Sequence, residues 1–71
     1  MERLFRYSLE RERAIRLLWQ EEDGALRQGN AMILSFNESS VTFRLLRPKQ
    51  IITLPLERLL AADFKKGDDG T

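Results

Sequence analysis

The stretch "FNESSVTFRLLRPKQIITLPL", residues 36–56, alternates strand-forming runs with two turn signals. Residues 41–46 are rich in β-branched and aromatic side chains, which favour strands. The polar residues 37–40 before this run are typical of a turn, and Pro48 after it predicts a type I turn with proline at its second position. The stretch therefore predicts three antiparallel strands joined by two hairpins.

The register of these two hairpins tests the predicted sheet. A two-residue turn at residues 48–49 gives one set of facing pairs: Val41 with Leu56, Phe43 with Leu54, Leu45 with Ile52, and Leu46 with Ile51. A loop of two or four residues around positions 38–39 gives another set: Val41 with Phe36, Phe43 with Leu34, and Leu45 with Met32. Residues that face each other across an antiparallel pair share one side of the sheet. Both hairpins therefore predict the same core face.

The first hairpin leaves two alternatives. Before the segment "EEDG", residues 21–24, every second residue is apolar: Ile15, Leu17 and Trp19. A two-residue turn at Asp23 and Gly24 places Trp19 opposite Gln28, which is a poor partner for burial. A loop of odd length, which we favour, places these three residues on the same side of the sheet as alternate residues of the next strand: Gly29, Ala31 and Ile33. The long strand over residues 26–36 must then switch faces through a bulge or bend near residues 32–33.

The remaining segments complete the predicted fold. Residues 51–54 form the fourth strand, which Pro55 ends because it has no N–H to donate. Residues 56–59 form one helical turn before a short fifth strand. Residues 2–10 predict a short helix or a loosely docked arm whose contact face is Leu4, Phe5 and Leu9.

These elements predict a mostly β chain, a small five-stranded antiparallel barrel of the SH3-like or Sm-like kind. The barrel covers residues 12–64, after an N-terminal helix or arm over residues 1–11 and before a disordered polar tail over residues 65–71. Trp19 is expected to be a partly buried core aromatic with its ring over Gly29. The predicted core is: Ile15, Leu17, Trp19, Leu34, Phe36, Val41, Phe43, Leu45, Ile52 and Leu54.

The composition limits the classes of function. The chain has 71 residues, a net charge of +1, and neither cysteine nor histidine. Disulfides and the usual zinc, haem and iron–sulfur sites are therefore excluded, and we expect no metal and no cofactor. Serines without a recognisable base, and acidic residues 21–23 at a solvated turn, indicate that the chain is not an enzyme. We expect a cytoplasmic protein without membrane contact, because no apolar run approaches ~20 residues and the N-terminus lacks a signal-peptide core.

Several segments resemble two bacterial families across residues 12–64. The series Ile15, Leu17 and Trp19, the "EEDG" turn, and the ending "ITLPLERLLAAD" at residues 52–63 resemble small YolD-like proteins. The ending also resembles the WYL domains of bacterial regulators, although "VTFRLL" replaces the Trp-Tyr-Leu signature and the basic ligand-reading residues have no counterpart. Trp19 stands where YolD-like proteins usually have tyrosine. The resemblance implies an Sm-like barrel that acts in DNA repair or transcription.

Two outward surfaces are candidate sites. The first is a basic face that would bind nucleic acid: Arg16, Arg27, Arg44, Arg47 and Lys49. An ion pair between Glu21 and Arg27 would account for one of these charges without a ligand. The second surface is an apolar interface: Leu18, Leu46 and Ile51. Either the N-terminal segment covers it or a protein partner or second copy binds there.

The sequence thus predicts a non-enzymatic protein-interaction module, with self-association as one form of it. The alternative is a nucleic-acid-associated accessory or regulatory domain. The two classes differ in their salt dependence, because phosphate binding weakens steeply with added salt whereas an apolar interface does not.

Overall fold

The computed structural model describes residues 1–67 as one helix followed by five strands. The elements are, in chain order: α1 (Glu2–Arg11), β1 (Ile15–Gln20), β2 (Leu26–Phe36), β3 (Ser40–Leu46), β4 (Lys49–Pro55), a 3₁₀ turn (Leu56–Arg58) and β5 (Leu59–Phe64). The strands are antiparallel and lie in the order β4-β3-β2-β1-β5, so β4 and β5 are the edges of one open sheet. The prediction of a mostly β chain with five antiparallel strands and an N-terminal helix is confirmed.

The chain beyond β5 is described only in part. Residues 65–67 are exposed, and the rest of the predicted tail, residues 68–71, lies outside the described residues. Within residues 1–67, no helix combines the length and the apolar character that crossing a membrane requires.

The β1–β2 hairpin has the loop of odd length, over residues 21–25. The N–H of Glu21 donates to the carbonyl of Ala25 at 2.8 Å, and Gly24 adopts the left-handed φ of 88° that the turn requires. Leu17 therefore faces Gly29. The alternative with a two-residue turn at positions 23–24 is wrong, because Gln20 faces Leu26 and Trp19 faces Arg27 rather than Gln28.

Trp19 is fully buried rather than partly buried. It faces Arg27 instead of Gly29, and its ring centroid lies 5.2 Å from that of Phe43. The prediction of a ring over Gly29 is wrong. Leu45 approaches Gly29 instead, since a Cβ added to this glycine would lie 3.3 Å from Leu45 Cδ2.

The long strand β2 switches faces at Leu34, directly after the residues 32–33 at which a bulge or bend was predicted. The register shifts between Ile33, which faces Phe43, and Ser35, which faces Thr42. Ile33 is consequently buried, and the prediction of Leu34 as a core residue is wrong because Leu34 is the extra residue of the bulge and is only half-buried. The pairing with β1 causes this outcome, since it keeps residues 31 and 33 in the inward phase.

The β3–β4 turn lies one residue earlier than predicted. Arg47 and Pro48, joined by a cis peptide bond, occupy its centre, so that Pro48 stands third in the turn and Leu46 faces Lys49. The predicted pairing of Leu46 with Ile51 is therefore wrong, and Ile51 faces Arg44. The register differs from the prediction by two residues, which leaves every side chain on its predicted face.

The helix α1 docks where β1 does not reach along β2. β1 begins at Ile15, opposite Ala31, so the later residues of β2 have no strand on that side. The hydroxyl of Ser8 takes the place of that strand: its Oγ accepts the N–H of Ile33 at 3.0 Å and donates to the carbonyl of Arg13 at 2.6 Å. The N-terminal segment is thus a docked helix and not a loose arm.

The contact face of α1 agrees with the predicted one at two of its three residues, since Leu4 packs against the core and Phe5 belongs to it. Phe5 is buried with its ring centroid 5.3 Å from that of Phe36, and Tyr7 meets Phe64 edge to face at 5.2 Å. Leu9, by contrast, is 41% exposed. Because α1 packs on the core side of the sheet, the alternative in which it covers Leu46 and Ile51 is not realised.

The core contains residues of α1 and the inward residues of the sheet. Phe36 and Ile52 pack against it while partly exposed. The buried apolar residues include four that the sequence analysis did not place in its core, Phe5, Ala31, Ile33 and Leu59, together with seven that it did: Ile15, Leu17, Trp19, Val41, Phe43, Leu45 and Leu54.

Candidate interaction surface

The outer side of β3 and β4 carries an exposed apolar and basic surface. Arg44 and Leu46 alternate with buried residues of β3, and Lys49 and Ile51 stand beside them on β4. Ile51 is 62% exposed and Leu46 is 38% exposed. We call these four residues the outer patch. Two of the three residues predicted for a protein interface are therefore brought together here.

The outer patch has a shallow hollow and an apolar border. The hollow has a volume of about 380 Å³ and is lined by Arg44, Lys49, Gln50 and Ile51. Across β3, Arg44 faces the half-buried Met32 of β2. The side chain of Arg44 therefore stands in one row between two apolar residues, and its aliphatic part can share their contacts while its guanidinium stays in water.

β4 is an edge strand whose outer side is open. The N–H of Leu56 donates to the carbonyl of Ser39 at 2.9 Å, which fixes the phase of the β3–β4 ladder. Counted back from this bond, the residues of β4 that bond to β3 are Leu54, Ile52 and Gln50. The backbone groups that point away from β3 belong to the alternate residues: Lys49, Ile51 and Thr53. Pro55 falls in the same outward phase, where its missing N–H breaks no ladder bond.

The predicted basic face is divided in the structure. Arg44, Arg47 and Lys49 lie near one another, and none of them makes an ion pair with a carboxylate of residues 1–67. Arg16 lies on β1, beyond β2, where its Nη2 is 3.9 Å from an oxygen of Asp63. The structure thus brings together three of the five predicted basic residues.

Arg27 belongs to the core side and not to the outer face. Its guanidinium carbon lies 5.3 Å from the ring centroid of Trp19, and its Nη1 is 2.7 Å from Oε1 of Glu21. The predicted ion pair with Glu21 is confirmed. The guanidinium of Arg27 therefore lies over the ring of the buried Trp19. Its ion pair with Glu21 reduces the positive charge that it could offer to a phosphate.

Leu18 is separate from the outer patch. It is half-buried on β1, opposite Gln28 and Ala61. It borders another hollow, of about 350 Å³, which also contains Arg16 and Asp63. The expectation that Leu18 joins Leu46 and Ile51 in one interface is wrong, since β2 lies between them.

The acidic turn is engaged in local bonds. Glu22 lies 3.6 Å from Nη2 of Arg58, and Asp23 accepts the N–H of Ala25 at 2.9 Å. In the described part of the chain, no group of three or more acidic residues is placed to hold a metal ion. Each of the three carboxylates therefore has a partner within the chain, because Glu21 is bonded to Arg27.

Some residues of the surface were not singled out from the sequence. Thr53 continues the outward side of β4, and its hydroxyl lies 2.9 Å from that of Thr42 on β3. Gln50 lines the hollow. The pairing of Thr53 with Thr42 depends on the register of β3 and β4, which the predicted turn placed two residues away.

Comparisons of this chain with protein-family models, with curated proteins and with solved structures find no match. The resemblance to YolD-like and WYL proteins therefore stays a prediction, and the geometry of the surface carries the functional argument.

Proposed function

We propose that this chain is a non-enzymatic protein-interaction module that binds another protein chain through the outer patch and the open edge of β4. The observation that carries the proposal is Ile51, a large apolar side chain 62% exposed in the middle of a seven-residue edge strand. Apolar side chains exposed beside unpaired backbone groups favour the addition of a strand from another chain.

The proposal includes a barrel of the SH3-like or Sm-like kind. Three features support it: the strand order β4-β3-β2-β1-β5, the bulge at Leu34, and the 3₁₀ turn between β4 and β5. A bulge increases the bend of a strand, which brings the two edges of a five-stranded sheet towards each other.

Photo-cross-linking from the edge strand tests the interaction. A photoreactive amino acid at position 51 should give adducts with protein in extract of the native cells. Any partner identified in this way should then bind the purified chain in a titration, and Leu46→Asp should weaken that binding at least about tenfold, because it places a charge in an apolar contact.

Leu26 provides the matched control position. It is 63% exposed, as Ile51 is, but it lies at the beginning of β2, beside the acidic turn. The same photoreactive residue at position 26 should give no adduct with that partner. The absence of any protein adduct from position 51 would refute the proposed function.

A second candidate function is binding of single-stranded nucleic acid, which the resemblance to YolD-like and WYL proteins also implies. The supporting observation is the cluster Arg44, Arg47 and Lys49, whose charges no carboxylate of residues 1–67 neutralises. Fluorescence anisotropy at low salt with DNA and RNA oligonucleotides tests it. Binding that falls steeply with salt and is lost in Arg44→Glu would support it, and no binding up to about 100 μM would dismiss it.

A further inference from the structure

We propose that the partner at the edge of β4 is a second copy of this chain. Two β4 strands pair antiparallel about a two-fold axis at Ile51 and join the two sheets into one. This inference rests on the proposed function, because it names the occupant of the same edge.

The register follows from the outward backbone groups of β4. Lys49, Ile51 and Thr53 each present one N–H and one C=O away from β3, as the Leu56–Ser39 bond requires. With the axis at Ile51, each of these residues meets an outward residue of the second copy: Ile51 meets Ile51, and Lys49 meets Thr53. The N–H and C=O groups of all three residues on each strand then bond to the other copy, which gives about six backbone hydrogen bonds.

Other registers of the same strand pair are poorer. With the axis at Lys49, two ammonium groups face each other, which destabilises an antiparallel pair. With the axis moved towards Pro55, that proline must enter the ladder, where it has no N–H to donate. With the axis at Ile51, Lys49, the only charged residue of β4, faces Thr53 of the second copy, so no two ammonium groups of β4 face each other.

The side chains of the outer patch support the same axis. Across one sheet, Met32, Arg44 and Ile51 form a row on the outer side. The axis places the two Ile51 side chains in contact and continues the row into the second copy. Each Ile51 thus loses the exposure that it has in the monomer, and the two Arg44 residues flank the pair from opposite sides without facing each other.

β5, the opposite edge, is unsuited to the same role. A register shift at Leu18 and Trp19 interrupts its pairing, and a bulged edge is a poor template for a further strand. The carboxylate of Asp63 accepts the N–H of Phe64 at 2.7 Å, so this group is already bonded. One open edge and one protected edge predict a closed dimer rather than a chain or ring of copies.

Amide hydrogen exchange and sedimentation of the unmodified chain test the proposal directly. The mass should rise from one copy to two with concentration. Over the same range, exchange at the N–H groups of Lys49, Ile51 and Thr53 should slow at least about tenfold, whereas Gln50, Ile52 and Leu54 should be protected throughout by their bonds to β3. This alternation along β4 would not arise from an interface elsewhere.

Cysteine pairing tests the register, because the chain contains no cysteine. The proposed axis places Gln50 opposite Ile52 of the second copy in a non-hydrogen-bonded pair, whose Cα separation of about 4.5 Å suits a disulfide. A mixture of Gln50→Cys and Ile52→Cys chains should form a disulfide-linked dimer on mild oxidation. Either variant alone should remain largely monomeric on a non-reducing gel.

The outcomes separate this inference from the proposed function. A single-copy mass at every concentration, with no change in exchange, would overturn the inference; if position 51 still cross-linked to another protein, the proposed function would stand. A mass above two copies, or a disulfide between β4 and an Ala61→Cys residue of β5, would overturn the two-fold arrangement. No protein adduct from position 51 together with a single-copy mass would reject both.

Discussion

The two edges of this sheet, β4 and β5, are protected to very different degrees. β5 has a bulge in its pairing with β1, an aspartate that bonds the next backbone N–H, and an aromatic contact between Phe64 and Tyr7 of α1. β4 has regular pairing on one side and open backbone groups on the other. The difference is that, within the described residues, β4 keeps a row of unpaired backbone groups whereas β5 is interrupted and partly covered.

The same contrast exists within β2. Where β1 ends, Ser8 of α1 satisfies the exposed N–H of Ile33. No described element does the same for Ile51 of β4. The helix α1 therefore covers one stretch of unpaired strand backbone, whereas the open edge of β4 carries Ile51, the most exposed apolar side chain of the outer patch.

The largest expected effect comes from removing the contact between α1 and the end of β2. Phe5→Ala takes a buried ring from between α1 and Phe36, and we expect the free energy of unfolding to fall by about 3–5 kcal/mol. Urea denaturation followed by Trp19 fluorescence measures it. Leu9→Ala, at an exposed position of the same helix, is the control and should cost less than about 1 kcal/mol. Equal losses in the two variants would show that α1 is not docked through Phe5.

Proline substitution distinguishes the two sides of β4. Ile52→Pro removes an N–H that bonds to β3, so we expect a loss of about 1–3 kcal/mol of stability. Thr53→Pro removes an outward N–H and the exposed hydroxyl contact with Thr42, so it should cost less stability than Ile52→Pro while reducing association. Thermal unfolding and sedimentation measure the two effects. The opposite pattern would mean that the ladder phase assigned to β4 is wrong.

A loss of stability of the same order is expected from Ser8→Ala, which tests the covered part of β2. The change leaves the N–H of Ile33 and the carbonyl of Arg13 without their hydroxyl partner, at a cost of about 1–3 kcal/mol. Chemical denaturation measures it, and exchange at the Ile33 N–H should accelerate. Ser35→Ala, at an exposed position of β2, is the control. An unchanged exchange rate at Ile33 would argue that Ser8 does not protect the strand.

The smallest effect is expected at the acidic turn, which borders a hollow of about 630 Å³ beside β4. Glu21→Gln weakens the half-exposed pair with Arg27, and such pairs contribute about 0.2–1 kcal/mol. Thermal unfolding in low and high salt measures the change. Association should be unaffected, because the backbone groups of β4 do not involve Glu21. A strong loss of association would instead indicate that the interface includes the hollow beside the acidic turn.

Side-chain phase was predictable from the sequence, but the exact pairing was not. The odd-length β1–β2 loop and the face switch in β2 followed from the alternation of apolar residues. The position of the bulge did not, because Ile33 and Leu34 are adjacent and equally apolar, and only the N–H bond to Ser8 and the pairing with β1 decide between them. Likewise, Pro48 indicated a turn without fixing its place in it.

The candidate site was predictable only as a set of outward residues. Leu46, Ile51, Arg44 and Lys49 were correctly assigned to the surface, because a register error of two residues preserves the faces. Their grouping into one patch, and the separation of Leu18, depend on which strands are neighbours. The open edge of β4 could not be read from composition at all, since it results from the strand order.

The bulge at Leu34 has a consequence for how the length of this chain can vary. On one side of it, β2 presents residues 31 and 33 to the core, and on the other side residue 36, so the two hairpins that share β2 are out of step by one position. Related chains should therefore differ in the length of β2 by an even number of residues. A difference of one residue should occur only where the bulge itself is lost or lies elsewhere in the strand. Deletion of Leu34 would merge the two hairpins into a single phase and flatten the strand. Insertion or deletion of one residue elsewhere in β2 would move the side chains of one hairpin to the opposite face of the sheet.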